Sequence, residues 1–343
     1  MPNHQVFGLM EPLRLPGGNL RAGVARAVFP VVWPTMALPS EFLAVAERVN
    51  NWGRWGSDDE IGTLNLITDE VVRAAVATVR TGRRVPLAVP LRQQGIQTGL
   101  IPGRVNPLHT MLAVNWEMFG PDTIATSDDA VTMGLQAGTH WDALTHISYH
   151  GRIYNGRPAG SITAHHGCAF SGIEKACHIV SRGVLLDVAA AHGVASLPPN
   201  HAVTPEDLTA AEDFGGVRVR AGDVVLVRTG QLRLYLAGDR DAYAMPSPGL
   251  SIRCPEWFHA RDVAAVANDT LVFEIFPPEI ENLFLAVHAL HLVDMGMLQG
   301  QNWNLEELSE VCAQERRYEF LLSAMPEPFV GATGTPVAPV AVL

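Results

Sequence analysis

Between Gly134 and Gly156 the chain reads GLQAGTHWDALTHISYHGRIYNG, and this stretch restricts the fold more than any other. Gln136, His140, Asp142 and His146 fall within eleven residues, with few Lys or Arg nearby to neutralise the acid. They offer an amide oxygen, two imidazoles and a carboxylate. Residues two and four apart share one face of a strand. Gln136, His140 and Asp142 are therefore spaced to converge on one cation. Gly138 and Thr139 interrupt a regular strand, so a bent or bulged one is expected. His146, four residues on, is close enough to serve as a further ligand or as an acid/base group.

A chain of 343 residues with 48% apolar residues has ample material for a core, and mean hydropathy is +0.13. Only 17% of residues are charged, low for an ordinary monomer. That balance suits a chain that covers some of its surface with another subunit. The net charge of −11 argues against a nucleic-acid footprint or an anionic membrane surface as partner. Cys168, Cys177, Cys254 and Cys312 form no C-x-x-C pair and read as reduced thiols. The N-terminus carries Arg14, Arg21 and Arg26, but Pro and Gly break it and no signal-type apolar stretch follows. A soluble cytoplasmic protein acting on a small molecule is expected.

Residues 1–40 are punctuated by Pro and Gly and read as an N-terminal arm, with 41–343 as a single α/β domain. SEFLAVAERVN is spaced as a helix from Ser40. The Gly- and Trp-rich segment after it places Trp52 and Trp55 as candidate walls for a flat substrate. Thr68 caps a helix ending at Gly82. Arg84 to Leu91 reads as a strand, followed by a loop carrying Arg104 and His109. HTMLAVNWE and DAVTMGLQ read as successive strands, the second feeding the central motif. Gly183–Val188, DVVLVRTG, Leu271–Phe276 and YEFLLSAM read as further strands. TPEDLTAAEDF, Leu283–Met295 and NLEELSEVCAQE read as helices. The Pro/Gly tail reads as an extended cap over the body or a partner. Irregular alternation of strands and helices favours a mixed α/β domain over a regular doubly wound sheet.

The string GTHWDALTH followed by YNG resembles the signature of the metal-dependent cyclase family, which includes bacterial kynurenine formamidase and isatin hydrolase. Gly138, Thr139, His140, Asp142 and His146 match its pattern H-x-G-T-H-x-D-x-P-x-H. Gln136 stands at the first metal-binding His, and Leu144 replaces the Pro. The resemblance implies the swivelling β/β/α fold with a mixed sheet, usually as a homodimer or higher assembly. In HALHLVDMGMLQGQNWNLEEL, aligning Gly296 places His288 on the family's later active-site histidine. Gln301 then falls where other members carry a metal-binding Glu, and becomes a candidate substrate contact. His291 lies on nearly the same helix face and competes with His288. His109, in NPLHTM, resembles a segment near the pocket in longer members.

Both departures replace a strong ligand by a neutral amide, which favours one divalent ion over two. His140, Asp142 and Gln136 are its expected holders, and the mixed N/O set admits Zn or Mn. With His146 as the acid/base group and His288 on the substrate, the expected reaction is hydrolysis of an amide, lactam or lactone carbonyl by metal-activated water. Two other readings stand beside it. One is a lyase or cyclase working through an enolate; the other is a catalytically silent relative that binds a carbonyl ligand. No G-x-S-x-G, P-loop or G-x-G-x-x-G is present to support a Ser hydrolase, NTPase or Rossmann enzyme.

Overall fold

The stretches that read as unbroken apolar runs form the middle of one sheet. The computed structural model describes residues 37–343, so the N-terminal arm expected over 1–40 falls, apart from its last four residues, outside the described residues. The strands relevant to the site are β1 (Arg84–Pro86), β2 (Leu108–Glu117), β3 (Ala125–Thr132), β4 (His140–Asp142), β5 (Val180–Asp187), β6 (Val224–Arg228), β7 (Ala265–Asn268), β8 (Leu298–Gln301), β9 (Glu319–Ser323), β10 (Gly334–Pro336) and β11 (Val340–Val342). Nine of them make a mixed sheet in the order β1-β11-β9-β5-β6-β7-β8-β4-β10. From β5 to β8 neighbours run parallel, and every pairing outside that block is antiparallel.

Parallel strands are covered on both faces, so their residues lose alternation and read as Val/Leu runs. Val184 to Leu186, Val224 to Val227 and Ala265 to Ala267 are fully buried. Helices α1 (Ser40–Arg48), α2 (Asp69–Val76) and α3 (Pro205–Gly215) begin where expected. Thr68 Oγ1 accepts from Val71 N–H at 3.3 Å, giving α2 its cap. Thr204 and Asp207 form a reciprocal capping box at α3, with Pro205 in the first turn. Both α2 and α3 lie against β5. Helix α4 (Ala286–Ala289) continues as a π-helical turn, Leu290–Met295, and α5 covers Glu306–Glu315.

The strands expected at HTMLAVNWE and DAVTMGLQ form as β2 and β3, and among the described residues they pair with each other as an exposed ribbon outside the main sheet. β3 carries Ser127, Asp128 and Asp129 at its centre and so has no apolar face to bury. Other expectations need correction, among them the end of α2, which falls at Val76 rather than Gly82. Leu271–Phe276 is not a strand, because the chain turns back after β7: Asn268 Nδ2 donates to the Phe273 carbonyl at 2.9 Å. The helix expected over 283–295 starts later and changes to π winding. Arg84 to Leu91 pairs only as far as Pro86. The tail, in turn, is no loose cap: β10 pairs with β4, and β11 fills the gap between β1 and β9.

Among the described residues no helix is long and apolar enough to cross a membrane. Asp269 ties the ends of β6 and β7 together. Its carboxylate accepts from Thr229 N–H at 2.9 Å, Thr229 Oγ1 at 2.7 Å and Gly230 N–H at 2.7 Å, all out of water. Removing the acceptor strands buried donors, each costing about 1–3 kcal/mol. Asp269→Ala is therefore expected to lower unfolding stability by about 2–4 kcal/mol, read from the denaturant midpoint at constant slope. A midpoint equal to that of the native chain would remove this role.

Candidate active site

Strand β4 has three residues, and alternation sorts them. His140 and Asp142 share one face of the strand, while Trp141 points to the other. Trp141 is fully buried; its indole N–H donates to the Ala324 carbonyl at 2.9 Å and its ring meets Trp303 edge-on at 4.9 Å. β8 lies on one side of β4, with Gln301 opposite His140 and Gly300 opposite Trp141. β10 lies on the other, with Gly334 opposite Asp142. A Cβ on Gly300 would stand 2.5 Å from Trp303 Nε1 and 3.0 Å from the His140 carbonyl, so only glycine lets β8 approach this closely.

Both functional side chains of β4 are fully buried, yet each leaves one atom unpartnered. His140 Nδ1 faces the Gly138 carbonyl at 2.8 Å, which fixes the tautomer with the proton on Nδ1. Burial pushes the pKa of this ring down to about 4. Its Nε2 is thus a bare lone pair, and it has no hydrogen-bond partner. Asp142 Oδ2 accepts from Gln301 Nε2 at 2.8 Å, whereas Asp142 Oδ1 has no hydrogen-bond partner. Burial raises the pKa of Asp142, but His146, His140, His288 and Arg104 outweigh it and the net shift is downward. An anionic oxygen and an imidazole lone pair therefore face each other at 3.5 Å. Two buried acceptors left like this cost several kcal/mol unless a cation joins them. Donor atoms on one tetrahedral ion stand about 3.4 Å apart, given metal–ligand bonds of about 2.1 Å. The pair fits a divalent ion.

His146 extends the set. Its Nε2 lies 3.8 Å from Asp142 Oδ1, and its side chain is 20% exposed. His140, Asp142 and His146 share Asp142 as a hub rather than closing a triangle. Among the described residues, the one trio whose donors all lie within 4.8 Å of one another is His192, His201 and Asp207. That trio is accounted for by the α3 cap, where both imidazoles hydrogen-bond the Asp207 carboxylate.

His288, on α4, closes the far side. Its Nδ1 is hydrogen-bonded to the Glu274 carboxylate, and its Nε2 stands 3.0 Å from Gln301 Nε2. Burial depresses the His288 pKa, and Glu274 more than reverses this, so the net shift is upward. His291, the competing candidate, is directed elsewhere. Its ring packs between Phe258 and Phe273, its Nδ1 faces Gln299 Oε1 at 3.1 Å, and burial pushes its pKa to about 3.

A cavity of about 360 Å³ opens over this group. His146, His288, Gln301, Glu274 and Arg104 supply its polar wall; Met245, Leu271, Phe276 and Phe284 are among its apolar ones. The other sequence candidates lie elsewhere. Gln136 sits in the turn before β4 and its amide donates to Thr333 Oγ1 at 3.3 Å, not to His140 or Asp142. Trp52 donates from Nε1 to the Val293 carbonyl at 2.7 Å and lines a separate cavity with Tyr149 and Asp294. Trp55 lies under the Arg54 guanidinium at 4.7 Å. His109 is on the exposed ribbon, paired with Asp129 at 2.7 Å. Glu274 and Arg104 were not among the candidates. The one signal for Glu274 was a lone acid inside the apolar run LVFEIF.

A family model described as "Putative cyclase" matches residues 66–275, which include His140, Asp142 and His146. A crystal structure described as a novel cyclase is 35% identical, with a TM-score of 0.79, covering 86% of this chain and 100% of that one. An isatin hydrolase bound to the product analogue thioisatinate is 18% identical at a TM-score of 0.56, covering 76% of this chain and 92% of that one. Isatin hydrolase A from Ralstonia solanacearum is 19% identical at a TM-score of 0.56, with coverage of 79% and 95%. No curated protein matches the chain.

Loaded with Zn²⁺ or Mn²⁺ and dialysed, the protein is expected to retain about one ion per chain by elemental analysis. Asp142→Asn, which keeps the shape and removes the charge, should lose most of it, while His109→Ala should keep it. Equal retention by Asp142→Asn would place the ion elsewhere.

Proposed function

Since this chain belongs to the cyclase family, we propose that it is a metal-dependent hydrolase acting on the carbonyl of a small amide, lactam or lactone. The observation that carries this reading is the buried, unpartnered pair of His140 Nε2 and Asp142 Oδ1 facing each other at 3.5 Å beneath a cavity. His140 and Asp142 would hold a divalent ion, zinc or manganese. When bound, such an ion supplies Lewis acidity toward a carbonyl oxygen and a more acidic water.

The remaining steps belong to side chains. Burial lowers the pKa of His146, and the opposing pull of Asp142 does not restore it, so the ring is neutral at pH 7. It lines the cavity and is the most exposed of the three imidazoles His140, His146 and His288. His146 takes the proton of the attacking water and returns it to the leaving nitrogen or oxygen. Gln301 holds Asp142 in place through its amide. His288, oriented by Glu274, borders the cavity beside Gln301 and positions the substrate carbonyl. The apolar walls suit a cyclic or aryl body.

A second reading, a lyase or cyclase working through an enolate, is favoured by one feature. His146 and His288 flank the same space with ring centres 6.5 Å apart, as two proton carriers on one carbon would. Turnover in ¹⁸O-labelled water separates the two, because hydrolysis must place label in the product. We also infer a homodimer or homotetramer, supported by the ribbon of β2 and β3. It exposes Leu112, Val114, Trp116 and Ile124, and a two-stranded ribbon is marginal on its own.

His146→Ala is expected to lower kcat by ~10²–10⁴-fold on an N-formyl arylamine, isatin or lactone; unchanged turnover would rule out the acid/base role. A depressed His146 pKa keeps the base form at lower pH, so the acid limb of kcat/KM should lie below the ordinary imidazole range near ~6.5. In light scattering the native chain should have the mass of a dimer or tetramer and Leu112→Glu with Val114→Glu that of a monomer. A monomeric native chain would refute the assembly.

A further inference from the structure

Arg104 reaches the cavity from the loop before β2, and we propose that it binds a carboxylate on the substrate. The molecules this site accepts are then anions: an apolar aryl or cyclic body bearing a carboxylate near the reacting carbonyl. This inference rests on the hydrolase reading and narrows its substrate class.

The other deeply placed arginines show what is unusual about this one. Arg182 is bound by Asp223 at 2.6 Å and by Glu319, and Arg228 by Asp187 at 2.8 Å and Glu306 at 2.9 Å. Among the described residues Arg104 has no carboxylate within 4.0 Å, and its guanidinium makes no hydrogen bond to protein. It is nevertheless half-buried and lines the same cavity as His146, His288 and Gln301. Half-buried in the cavity wall, the guanidinium keeps contact with solvent and is within reach of an anion that enters the cavity.

Among the described residues the cavity holds no acid free to compensate it. Glu274 is engaged by His288 at both its oxygens, through the ring and the backbone N–H. Asp142 Oδ2 is taken by Gln301, and Asp142 Oδ1 faces His140 and His146. Apart from Glu274, His146, His288 and Gln301, the rest of the cavity lining is apolar, including Leu100, Ile101 and Leu271. A ligand carboxylate supplies the anion that this lining does not. A carboxylate matches the planar donor fork of Arg and gains charge-assisted hydrogen bonds. At about 360 Å³ the cavity accommodates a one- or two-ring compound.

The test uses the full chain and inert probes. Calorimetry should show benzoate binding the native protein about 10- to 100-fold tighter than Arg104→Gln, with benzamide affinity the same in both and Arg104→Lys in between. Equal benzoate affinity in the two proteins would overturn the proposal, as would an equal loss of benzamide, which would mark Arg104 as packing. In kinetics, N-formylanthranilate and its methyl ester form the matched pair. Arg104→Gln should raise KM for the acid alone, by the same factor, and leave kcat within a few fold. A shared drop in kcat would instead assign Arg104 to the reacting oxygen and end the proposal. If neither compound is hydrolysed while the benzoate preference holds, the carboxylate site stands and the hydrolase reading fails.

Discussion

The contact on which the rest depends is an unfavourable one: the bare Nε2 of His140 against the charged Oδ1 of Asp142, 3.5 Å apart and out of water. Left alone, two such atoms would draw in water, protonate or turn away. The surroundings forbid each escape. The Gly138 carbonyl holds the imidazole proton on the other nitrogen. The neighbouring imidazoles and Arg104 keep the carboxyl ionised. Gln301 anchors the second carboxylate oxygen, so the first has one direction to face. The fold supplies the stability to sustain this cost, as function often requires of a site.

That stability comes from the position of β4 in the sheet. Three residues would make a poor strand at an edge. Here β4 is paired on both sides, by β8 and by a strand from the last ten residues of the chain. Trp141 locks the back of the strand through Trp303 and the Ala324 carbonyl. Gly300 makes the approach of β8 possible, which brings Gln301 opposite His140. The C-terminal tail thus helps to build the floor beneath the candidate site.

On the cavity side, charge is distributed unevenly. Glu274 and His288 form a paired unit, Asp142 is surrounded by imidazoles, and Arg104 remains as the one cation in the lining without a protein counter-charge among the described residues. Gln301, where the sequence resemblance leads one to expect a carboxylate, brings no negative charge to this wall. Without that charge, Arg104 has less to satisfy it from the protein, and more reason to take an anion from solution.

Much of this was legible from residue order alone. The buried strands, the capped helices at Thr68 and Thr204 and the mixed α/β class follow from local pattern, because alternation and caps act over a few residues; His140, Asp142 and His146 are singled out by their spacing and motif, and His288 by the family resemblance alone. What tertiary structure decided is who faces whom. Gln136 has the spacing of a ligand, yet its segment turns before β4 and sends the amide to Thr333. His109 has the right neighbours in sequence, but sits on an exposed ribbon outside the main sheet, paired with Asp129. His291 and His288 are one turn apart, and only packing against Phe258 and Phe273 assigns the first to the core. Glu274 and Arg104 come from loops that carry no periodicity. Their place beside Asp142 is set by a strand order that joins residues 159 positions apart, such as Gln301 and Asp142. Pairing at that separation is chosen by burial of the whole sheet, and no window of sequence contains it.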